Sequence, residues 1–312
     1  MSQFLQDVVQ GLSAKDKFLN SKYFYDQKGD KLFQQIMACP EYYPTKCEME
    51  IFRQQTKQVA DVLINYTSTF DIVELGAGDA SKSIHLLNEL LQNNITFTYF
   101  PVDISANVIN LLHEELPKKL PALQLHGLNG EYLQMLEKAK AASDKTKVVL
   151  FLGGNIGNVP LEKAGVFCNR LRQQLSPGDL VLTGFDLKKD PRVVLAAYND
   201  KSGYTRCFNL NLLKRINDEL GGNFILENFA HYPNYDAATG ACKSYLVSTI
   251  NQQVQIEESS FSFAEGEPIF MEISQKYTVE QTDDLANENG FTPVKHFFDT
   301  KGWFLDALWQ CV

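Results

Sequence analysis

Long hydrophobic runs are absent from this sequence, and no stretch approaches the roughly 20 apolar residues that a membrane-spanning helix requires. The N-terminal segment also lacks the basic start, apolar block and small-residue cleavage site of a signal peptide. Tryptophan is rare, with 2 residues, whereas the chain holds 13 Tyr and 21 Phe. Because both the membrane-spanning run and the signal-peptide pattern are missing, we expect a cytoplasmic protein that does not act on a membrane.

Closely spaced metal-binding residues are also missing. The 6 Cys form no C-x-x-C pair, and none of the 5 His falls in an H-x-x-x-H or H-E-x-x-H pattern. Neither set has the spacing of a zinc site, so we predict that the protein holds no metal. Scattered cysteines of this kind indicate reduced thiols, which are typical of the cytoplasm.

The chain has no excess of positive charge. Its 29 Lys and Arg stand against 38 Asp and Glu, which gives a formal net charge of −9. Proteins that bind nucleic acids or anionic membranes need a basic face, so this balance argues against both classes of partner. We expect a monomer whose partner is a small molecule.

The middle of the chain alternates short apolar runs with helical patterns, from about residue 56 to residue 188. This alternation predicts βαβ units and a mostly parallel sheet. Residues 189–276 are instead α+β in character, and the segment around Lys301-Gly302 predicts a terminal hairpin that adds an antiparallel last strand. We therefore predict a Rossmann-like domain from 56–188 plus 277–312, and a second domain from 1–55 plus 189–276.

Three local patterns give more specific expectations. The periodicity from about Thr45 to Ile64 predicts one long helix. Apolar alternation predicts strands at Phe224–Phe229 and Val254–Ser262.

The motif IVELGAGDAS joins an apolar strand to a helix through a tight turn that contains Gly76 and Gly78. Glycines at such a turn let a ligand approach the backbone, and the carboxyl end of a parallel strand is where ligands bind. A plain strand–helix turn is the alternative. The third glycine of the dinucleotide fingerprint would fall at Ser81, so the pattern departs from the form that binds nicotinamide cofactors.

Asp103 ends the next predicted strand, where a carboxylate can accept both ribose hydroxyls of a nucleoside. Glu74, the two glycines and this aspartate together favour S-adenosylmethionine, whose sulfonium suits an acidic site. The alternative is that Asp103 only caps the helix after it.

Three further residues extend this interpretation. Glu131 and Tyr132 follow the third short strand, where Glu131 can accept from an adenine amino group and Tyr132 can pack on the ring; a solvated turn is the alternative. Lys82 lies in the first turn after the glycines, where a cation is unfavourable beside the helix dipole. It either binds a ligand carboxylate or is an ordinary surface lysine.

The chain resembles the S-adenosylmethionine-dependent histidine Nα-methyltransferases of ergothioneine biosynthesis from about residue 20 to its end. The resemblance rests on segments that occur in order: YFYD (23–26), CPEYYPT (39–45), ELGAG (74–78), VDIS (102–105), FLGGNIGN (151–158), GDLVLTGFDLKKD (178–190), AYND (197–200), FNLNLLKRIN (208–217) and MEISQKY (271–277). It implies a class I methyltransferase fold with an inserted α+β substrate-binding domain. It also implies methylation of the α-amine of L-histidine, up to trimethylation giving hercynine.

The resemblance also implies roles for individual residues. The cofactor would be held by Tyr25, Gly76, Gly78, Lys82, Asp103, Glu131 and Tyr132. The amino and carboxylate groups of the substrate would be held by Asn158 and Tyr198, the pair expected to be catalytic. Its imidazole would be bound by Tyr42, Glu272 and Ser274.

Two departures from the family pattern leave alternatives open. The usual Asp-Phe pair for adenine is Glu131-Tyr132, and a methionine expected beside the substrate ring is Ser244. Methylation of another amino acid, such as tryptophan or a histidine derivative, is therefore the main alternative. A nicotinamide-dependent oxidoreductase and a non-catalytic binding protein are the remaining ones.

Overall fold

The computed structural model describes residues 2–67 and 69–312, so Met1 and Ser68, which the predicted domains include, lie outside the described residues. The α-helices are α1 (Gln3–Ser13), α2 (Gln27–Ala38), α3 (Tyr43–Gln54), α4 (Thr56–Tyr66), α5 (Ser83–Gln92), α6 (Ala106–Lys119), α7 (Tyr132–Ala141), α8 (Leu161–Gln174), α9 (Pro191–Ala197), α10 (Tyr204–Leu220) and α11 (Val279–Asn287). The strands are β1 (Phe70–Leu75), β2 (Thr98–Asp103), β3 (Gln124–Leu125), β4 (Leu128–Asn129), β5 (Thr146–Phe151), β6 (Leu180–Asp186), β7 (Phe229–Asp236), β8 (Ala241–Ser248), β9 (Gln252–Ile256), β10 (Ser259–Phe263), β11 (Pro268–Gln275), β12 (Phe291–Phe298) and β13 (Phe304–Cys311).

The chain forms two compact units. The larger unit is Pro44–Lys188 with Gln275–Val312, and the smaller unit is Met1–Tyr43 with Lys189–Ser274. The expected domains differ from these units mainly at residues 44–55, which belong to the larger unit. The physical reason is that Glu48 on α3 hydrogen-bonds the backbone of Gly153 within that unit.

The larger unit is built on a sheet of order β12-β13-β6-β5-β1-β2-β3, in which β4 also pairs with β2. Strands β1, β2, β5 and β6 pair in parallel, and β13 runs antiparallel to both β6 and β12. The predicted class I methyltransferase arrangement, a mostly parallel sheet with an antiparallel last strand, is confirmed. Strand β1 has β2 on one side and β5 on the other, so the strand order reverses there.

Apolar burial explains why these segments form the central strands. Every residue of β1 and of β6 is buried, which is typical of parallel strands covered on both faces. In the antiparallel strand β13, the Trp309 ring lies 5.5 Å from the ring of Phe185 and 5.6 Å from that of Phe291.

The chain leaves this sheet after β6 and returns to it beside the same point. Leu187 and Tyr277 form a parallel bridge, and the Lys188 N–H donates to the Tyr277 carbonyl at 2.8 Å. Beneath the bridge, Lys276 Nζ lies 2.6 Å from Asp186 Oδ2, with 0% and 5% of the two side chains exposed. This buried ion pair fixes both ends of the segment 189–274.

The smaller unit is α+β, as predicted. Strands β11, β8 and β7 form one sheet, and β9 pairs with β10 in a separate hairpin. Helix α10 supplies Leu212, Leu213 and Ile216 to a core that also contains Leu246 and Met271.

Three local expectations are wrong in detail. The single helix expected from Thr45 to Ile64 is broken at Gln55, whose φ of −120° and ψ of 6° separate α3 from α4. The strand expected at Val254–Ser262 is the β9–β10 hairpin, which turns at Glu257 with a φ of 49°. The strand expected at Phe224–Phe229 is not formed, because the Asn217 side chain holds the backbone of Phe224 through two hydrogen bonds of 2.8 Å.

The buried ion pair gives a stability prediction. Lys276→Ala leaves the Asp186 carboxylate buried without its cation, so we expect a loss of about 3–5 kcal/mol in the free energy of unfolding. Lys214→Ala is the control, because Lys214 pairs with Asp218 on the exposed face of α10, and should change stability by less than about 0.5 kcal/mol. Urea unfolding monitored by circular dichroism measures both, and equal losses would contradict the assigned role of Lys276.

Candidate functional site

The glycine loop after β1 lies where the strand order reverses, and ligands of such sheets bind outside the carboxyl ends of the strands at that point. The N–H groups of Gly76 and Ala77 donate to the Val102 carbonyl at 2.8 and 3.1 Å. These bonds hold the loop against the end of β2. The alternative of an unspecialised turn is less consistent with the contacts around Gly76.

Gly76 allows two side chains to approach its backbone. Its φ is +78°, and a Cβ there would lie 2.7 Å from Asn155 Nδ2 and 2.9 Å from the Tyr132 hydroxyl. The structure thus brings the predicted residues Gly76 and Tyr132 together. Sequence reasoning missed Asn155, although the GGNIGN motif after β5 is a signal that could have identified it.

Asp103 holds the glycine loop. Its Oδ2 accepts from the Gly78 N–H at 3.1 Å, and its Oδ1 accepts from the Ser105 N–H at 2.9 Å. The alternative helix-cap role is wrong, because Ser105 is the N-cap of α6 and its hydroxyl accepts from the Val108 N–H. A carboxylate offers about four acceptor positions, so one side chain can hold the loop and a ligand hydroxyl together.

Glu131 and Tyr132 lie at the start of α7. Glu131 is exposed at the N-cap position, whereas the ring of Tyr132 packs edge-on against Phe151 with centroids 5.6 Å apart. Burial, with the nearby Asp103 and Glu131 charges, raises the pKa of Tyr132 well above its ordinary value. The hydroxyl therefore stays protonated and available as a hydrogen-bond donor.

Glu48 is the functional residue that sequence reasoning missed most completely. It is fully buried, forms an ion pair with Lys82, and accepts from the Gly153 N–H at 2.7 and 3.0 Å. Burial alone would favour a neutral lysine, but the charge and hydrogen bond of Glu48, together with the nearby Asp306 and Glu74, outweigh it and raise the pKa of Lys82. Lys82 is therefore a charged lysine that an ion pair fixes at the carboxyl end of the parallel strands, where ligands bind, and not a solvated surface lysine.

Two more carboxyl groups lie near this ion pair. Burial raises the pKa of Glu74 to about 7, against hydrogen bonds from Ser83 and Tyr99 that favour its ionised form. Burial and the neighbouring Glu48 charge raise the pKa of Asp306 well above its ordinary value. Proton uptake by these groups limits the buried negative charge around Lys82.

The predicted substrate residues divide between the two units. Asn158 ends a short 3-10 helix (Asn155–Asn158) of the larger unit and is exposed. In the smaller unit, the Tyr198 hydroxyl donates to Ser274 Oγ at 2.6 Å, and the Tyr42 ring lies 6.1 Å from the Tyr198 ring. Tyr25 packs against Phe208 with ring centroids 5.7 Å apart.

Glu272 and Ser274 are two residues apart on β11 and share one face of that strand. Glu272 Oε1 accepts from Asn209 Nδ2 at 3.3 Å, a partner that sequence reasoning also missed. Ser244, the departure from the family pattern, lies on β8 opposite Pro233 and is 1% exposed. Its hydroxyl has no hydrogen-bond partner within residues 2–67 and 69–312.

Across the residues that the structure describes, no group of three or more His, Cys, Asp or Glu side chains has an arrangement able to hold a metal ion. No helix among the same residues is long and apolar enough to cross a membrane.

Comparison with known proteins gives consistent matches over the whole chain. The model of a family described as "Histidine-specific methyltransferase, SAM-dependent" matches residues 4–311. The histidine N-alpha-methyltransferase of Mycolicibacterium smegmatis is 31% identical over 301 residues, which cover 96% of this chain and 92% of that protein. The protein of the same name from Mycobacterium tuberculosis is 30% identical with the same coverage, 96% and 92%. Ergothioneine biosynthesis protein 1 of Neurospora crassa is 30% identical over 280 residues, which cover 88% of this chain and 31% of that protein.

The raised pKa of Glu74 predicts a pH-dependent stability. Between its usual value of 4.5 and about 7 the folded state keeps a proton that the unfolded state has lost, so Glu74 destabilises the fold increasingly as the pH rises. Glu74→Gln removes this titration. Relative to wild type, the free energy of unfolding of the variant should rise by on the order of 3 kcal/mol as the pH goes from 4.5 to 7, and it should rise no further above pH 7.

Chemical denaturation across this pH range measures the effect. Glu162→Gln is the control, because Glu162 is exposed on α8 and is solvated in both states. A stability difference between Glu74→Gln and wild type that does not vary with pH would contradict the burial argument.

Proposed function

This chain belongs to the family of S-adenosylmethionine-dependent, histidine-specific methyltransferases, and we propose that it methylates the α-amine of L-histidine, up to trimethylation giving hercynine. Two observations support the proposal, one in each unit. In the larger unit Asp103 holds the glycine loop at the carboxyl end of β1, and in the smaller unit Tyr198, Ser274 and Glu272 supply polar groups.

The cofactor of the enzyme is S-adenosylmethionine, and the residues around the glycine loop fit it. Because Gly76 has no Cβ, Asn155 and the Tyr132 hydroxyl lie close to the backbone of the loop, where their polar groups can reach a bound nucleoside. We assign the ribose hydroxyls to Asp103, because its carboxylate ends β2 and is fixed by the Gly78 N–H. The remaining cofactor contacts that we propose are those of Tyr25, Gly78, Lys82, Glu131 and Tyr132.

Within this set, Lys82 would bind the carboxylate of the amino-acid part of the cofactor. Its ion pair with Glu48 fixes the ammonium and keeps it charged. Glu131 would accept from the adenine amino group, while the protonated Tyr132 packs beside the ring. These roles need only the atoms that the fold already orients.

The imidazole of the substrate is assigned to Tyr42, Glu272 and Ser274. Glu272 accepts a ring N–H, and Ser274 donates to or accepts from the other ring nitrogen. A site that hydrogen-bonds a polar ring rejects an apolar ring, because its half-buried polar groups would lose their partners. This supports histidine over tryptophan, whose indole has a single donor and no acceptor.

When bound, S-adenosylmethionine supplies an electrophilic methyl group on its sulfonium. The acceptor amine must be neutral, so that its lone pair can attack, and it loses a proton for each methyl group gained. Asn158 and Tyr198 orient the amino and carboxylate groups, and the Tyr198 hydroxyl is itself oriented by Ser274 at 2.6 Å. Positioning of this kind supplies at most about 7–11 kcal/mol of the barrier reduction.

The other functions are less consistent with these observations. A nicotinamide-dependent oxidoreductase is not favoured, since the third fingerprint glycine is replaced by Ser81 and β13 runs antiparallel in the sheet. A non-catalytic binding protein would not need the family's substrate residues. Another amino acid remains the second candidate, because Ser244 places a small, unpartnered hydroxyl where the family has a methionine.

The cellular setting is part of the proposal. We infer a monomer that acts in the cytoplasm on a small molecule and not on nucleic acid. The net charge of −9 supports the last point, and the scattered spacing of the six cysteines, without a C-x-x-C pair, supports a reducing compartment.

A screen of amino acids with S-adenosylmethionine, followed by mass spectrometry, tests the proposed function. We expect successive gains of about 14, 28 and 42 Da on L-histidine, as one, two and three methyl groups replace hydrogens. Gains on tryptophan and none on histidine would favour the second candidate. Binding of NADH without binding of S-adenosylhomocysteine in calorimetry would refute the methyltransferase activity.

Asp103→Ala should weaken binding of S-adenosylhomocysteine by on the order of 100-fold, the loss of two hydrogen bonds to a charged group. Isothermal titration calorimetry measures the dissociation constant. Asp179→Ala is the control, because Asp179 is a buried aspartate that, like the half-buried Asp103, accepts two backbone N–H groups, those of Lys147 and Ser176. An unchanged dissociation constant for Asp103→Ala, or an equal loss in both variants, would refute the ribose role.

A further inference from the structure

Asn209 is a fully buried amide in the middle of α10. Asparagine is unfavourable in a helix interior, because its side chain competes for backbone hydrogen bonds. A buried asparagine at such a position therefore needs hydrogen-bond partners that offset the free-energy cost of removing its amide from water. Its contacts identify one partner in the polypeptide backbone and one in the proposed substrate site.

The orientation of this amide is fixed by chemistry. Nδ2 donates to the Thr205 carbonyl at 3.0 Å, and because a carbonyl oxygen can only accept, the group that faces it must be the NH₂ end. The second proton of Nδ2 is directed at Glu272 Oε1, at 3.3 Å. Thr205 lies one helical turn before Asn209, so the helix backbone itself sets the position of the donor.

The remaining atom of the amide also indicates a ligand. Asn209 Oδ1 is buried and has no hydrogen-bond partner within the described residues 2–67 and 69–312. A buried acceptor without a partner is costly unless water or a bound molecule supplies a donor. The amide of Asn209 therefore donates to Glu272 through Nδ2, while its Oδ1 can accept a hydrogen bond from a bound molecule or water.

We propose that Asn209 is a positioning residue for the substrate ring: its amide holds the Glu272 side chain turned so that the carboxylate accepts the imidazole N–H of histidine. The inference rests on the proposed function, since Glu272 is assigned to the ring there. A hydrogen bond from a donor that the helix backbone holds in place fixes the direction of the carboxylate oxygen that accepts it. The ring N–H then meets an acceptor that does not have to be reoriented on binding.

The test compares KM values for histidine and for S-adenosylmethionine in steady-state methylation. Asn209→Ala should raise the histidine KM about tenfold or more, the effect expected for one hydrogen bond to a charged group. The KM for S-adenosylmethionine should stay within about twofold of the wild-type value, because the cofactor residues are not touched. Equal increases in both KM values, or an unchanged histidine KM, would overturn the proposal.

Asn211→Ala is the matched control for burial and folding. Asn211 lies on the same helix, is also buried, and donates to a carboxylate, that of Asp26, at 3.0 Å. We expect a comparable loss of thermal stability without the rise in histidine KM. A similar rise in histidine KM in this variant would show that any buried asparagine of α10 has the effect, and would refute a specific role for Asn209.

A double-mutant cycle distinguishes positioning from general support of the fold. If Asn209 acts through Glu272, then Asn209→Ala should add no more than about twofold to the histidine KM of Glu272→Ala. If the increase in histidine KM of the double variant equals the product of the two single-variant increases, the coupling between Asn209 and Glu272 is refuted. Should Asn209→Ala fail to fold, the isosteric Asn209→Asp replaces it, and the carboxylate that it places beside Glu272 should raise the histidine KM at least as much.

The activity of the wild-type enzyme distinguishes a failure of the proposed function from a failure of the role assigned to Asn209. If it does not methylate histidine, the proposed function has failed and the KM comparison is made with the amino acid that it does methylate. If it methylates histidine and Asn209→Ala leaves the histidine KM unchanged, only the role of Asn209 has failed.

Discussion

The ligand end of the larger unit depends on one buried carboxylate, that of Glu48. It joins the Lys82 ammonium, which follows the glycine loop of β1, to the Gly153 N–H, which follows β5. Removing one partner of a buried ion pair is far more damaging than losing an exposed one, because the remaining charge stays desolvated. The positions of both loops, and of the lysine assigned to the cofactor, therefore follow from a helix that lies outside the βαβ pattern.

Much of the fold was predictable from local patterns, because its strands are short apolar runs that end in glycine or aspartate. Strands β1, β5 and β6 are almost entirely buried, so hydrophobicity alone located them. The break between α3 and α4 was not predictable in this way, since the apolar periodicity continues through Gln55. Backbone geometry at one residue, not composition, ends the first of these helices.

The residues of the candidate site likewise divide into those that local sequence patterns could predict and those that they could not. Gly76, Asp103 and Tyr132 could be predicted because each lies at the end of a strand or within three residues of it, where the sheet largely determines the position of the chain. Glu48 and Asn209 could not, because their partners are 105 and 63 residues away in the sequence. Each lies on a helix whose local pattern indicates only burial, so the role of its polar group emerges from long-range packing.

The bridge between Leu187 and Tyr277 has a consequence for the evolution of such enzymes. A segment whose two ends are hydrogen-bonded neighbours can be exchanged for one of different length without altering the register of the sheet that carries it. Selection can thus remodel the segment that carries Tyr198, Glu272 and Ser274, three of the residues assigned to the substrate in the proposal, while the sheet that carries the glycine loop is inherited intact. The same junction is a natural place at which to graft a foreign segment when an enzyme for a different amine is being designed.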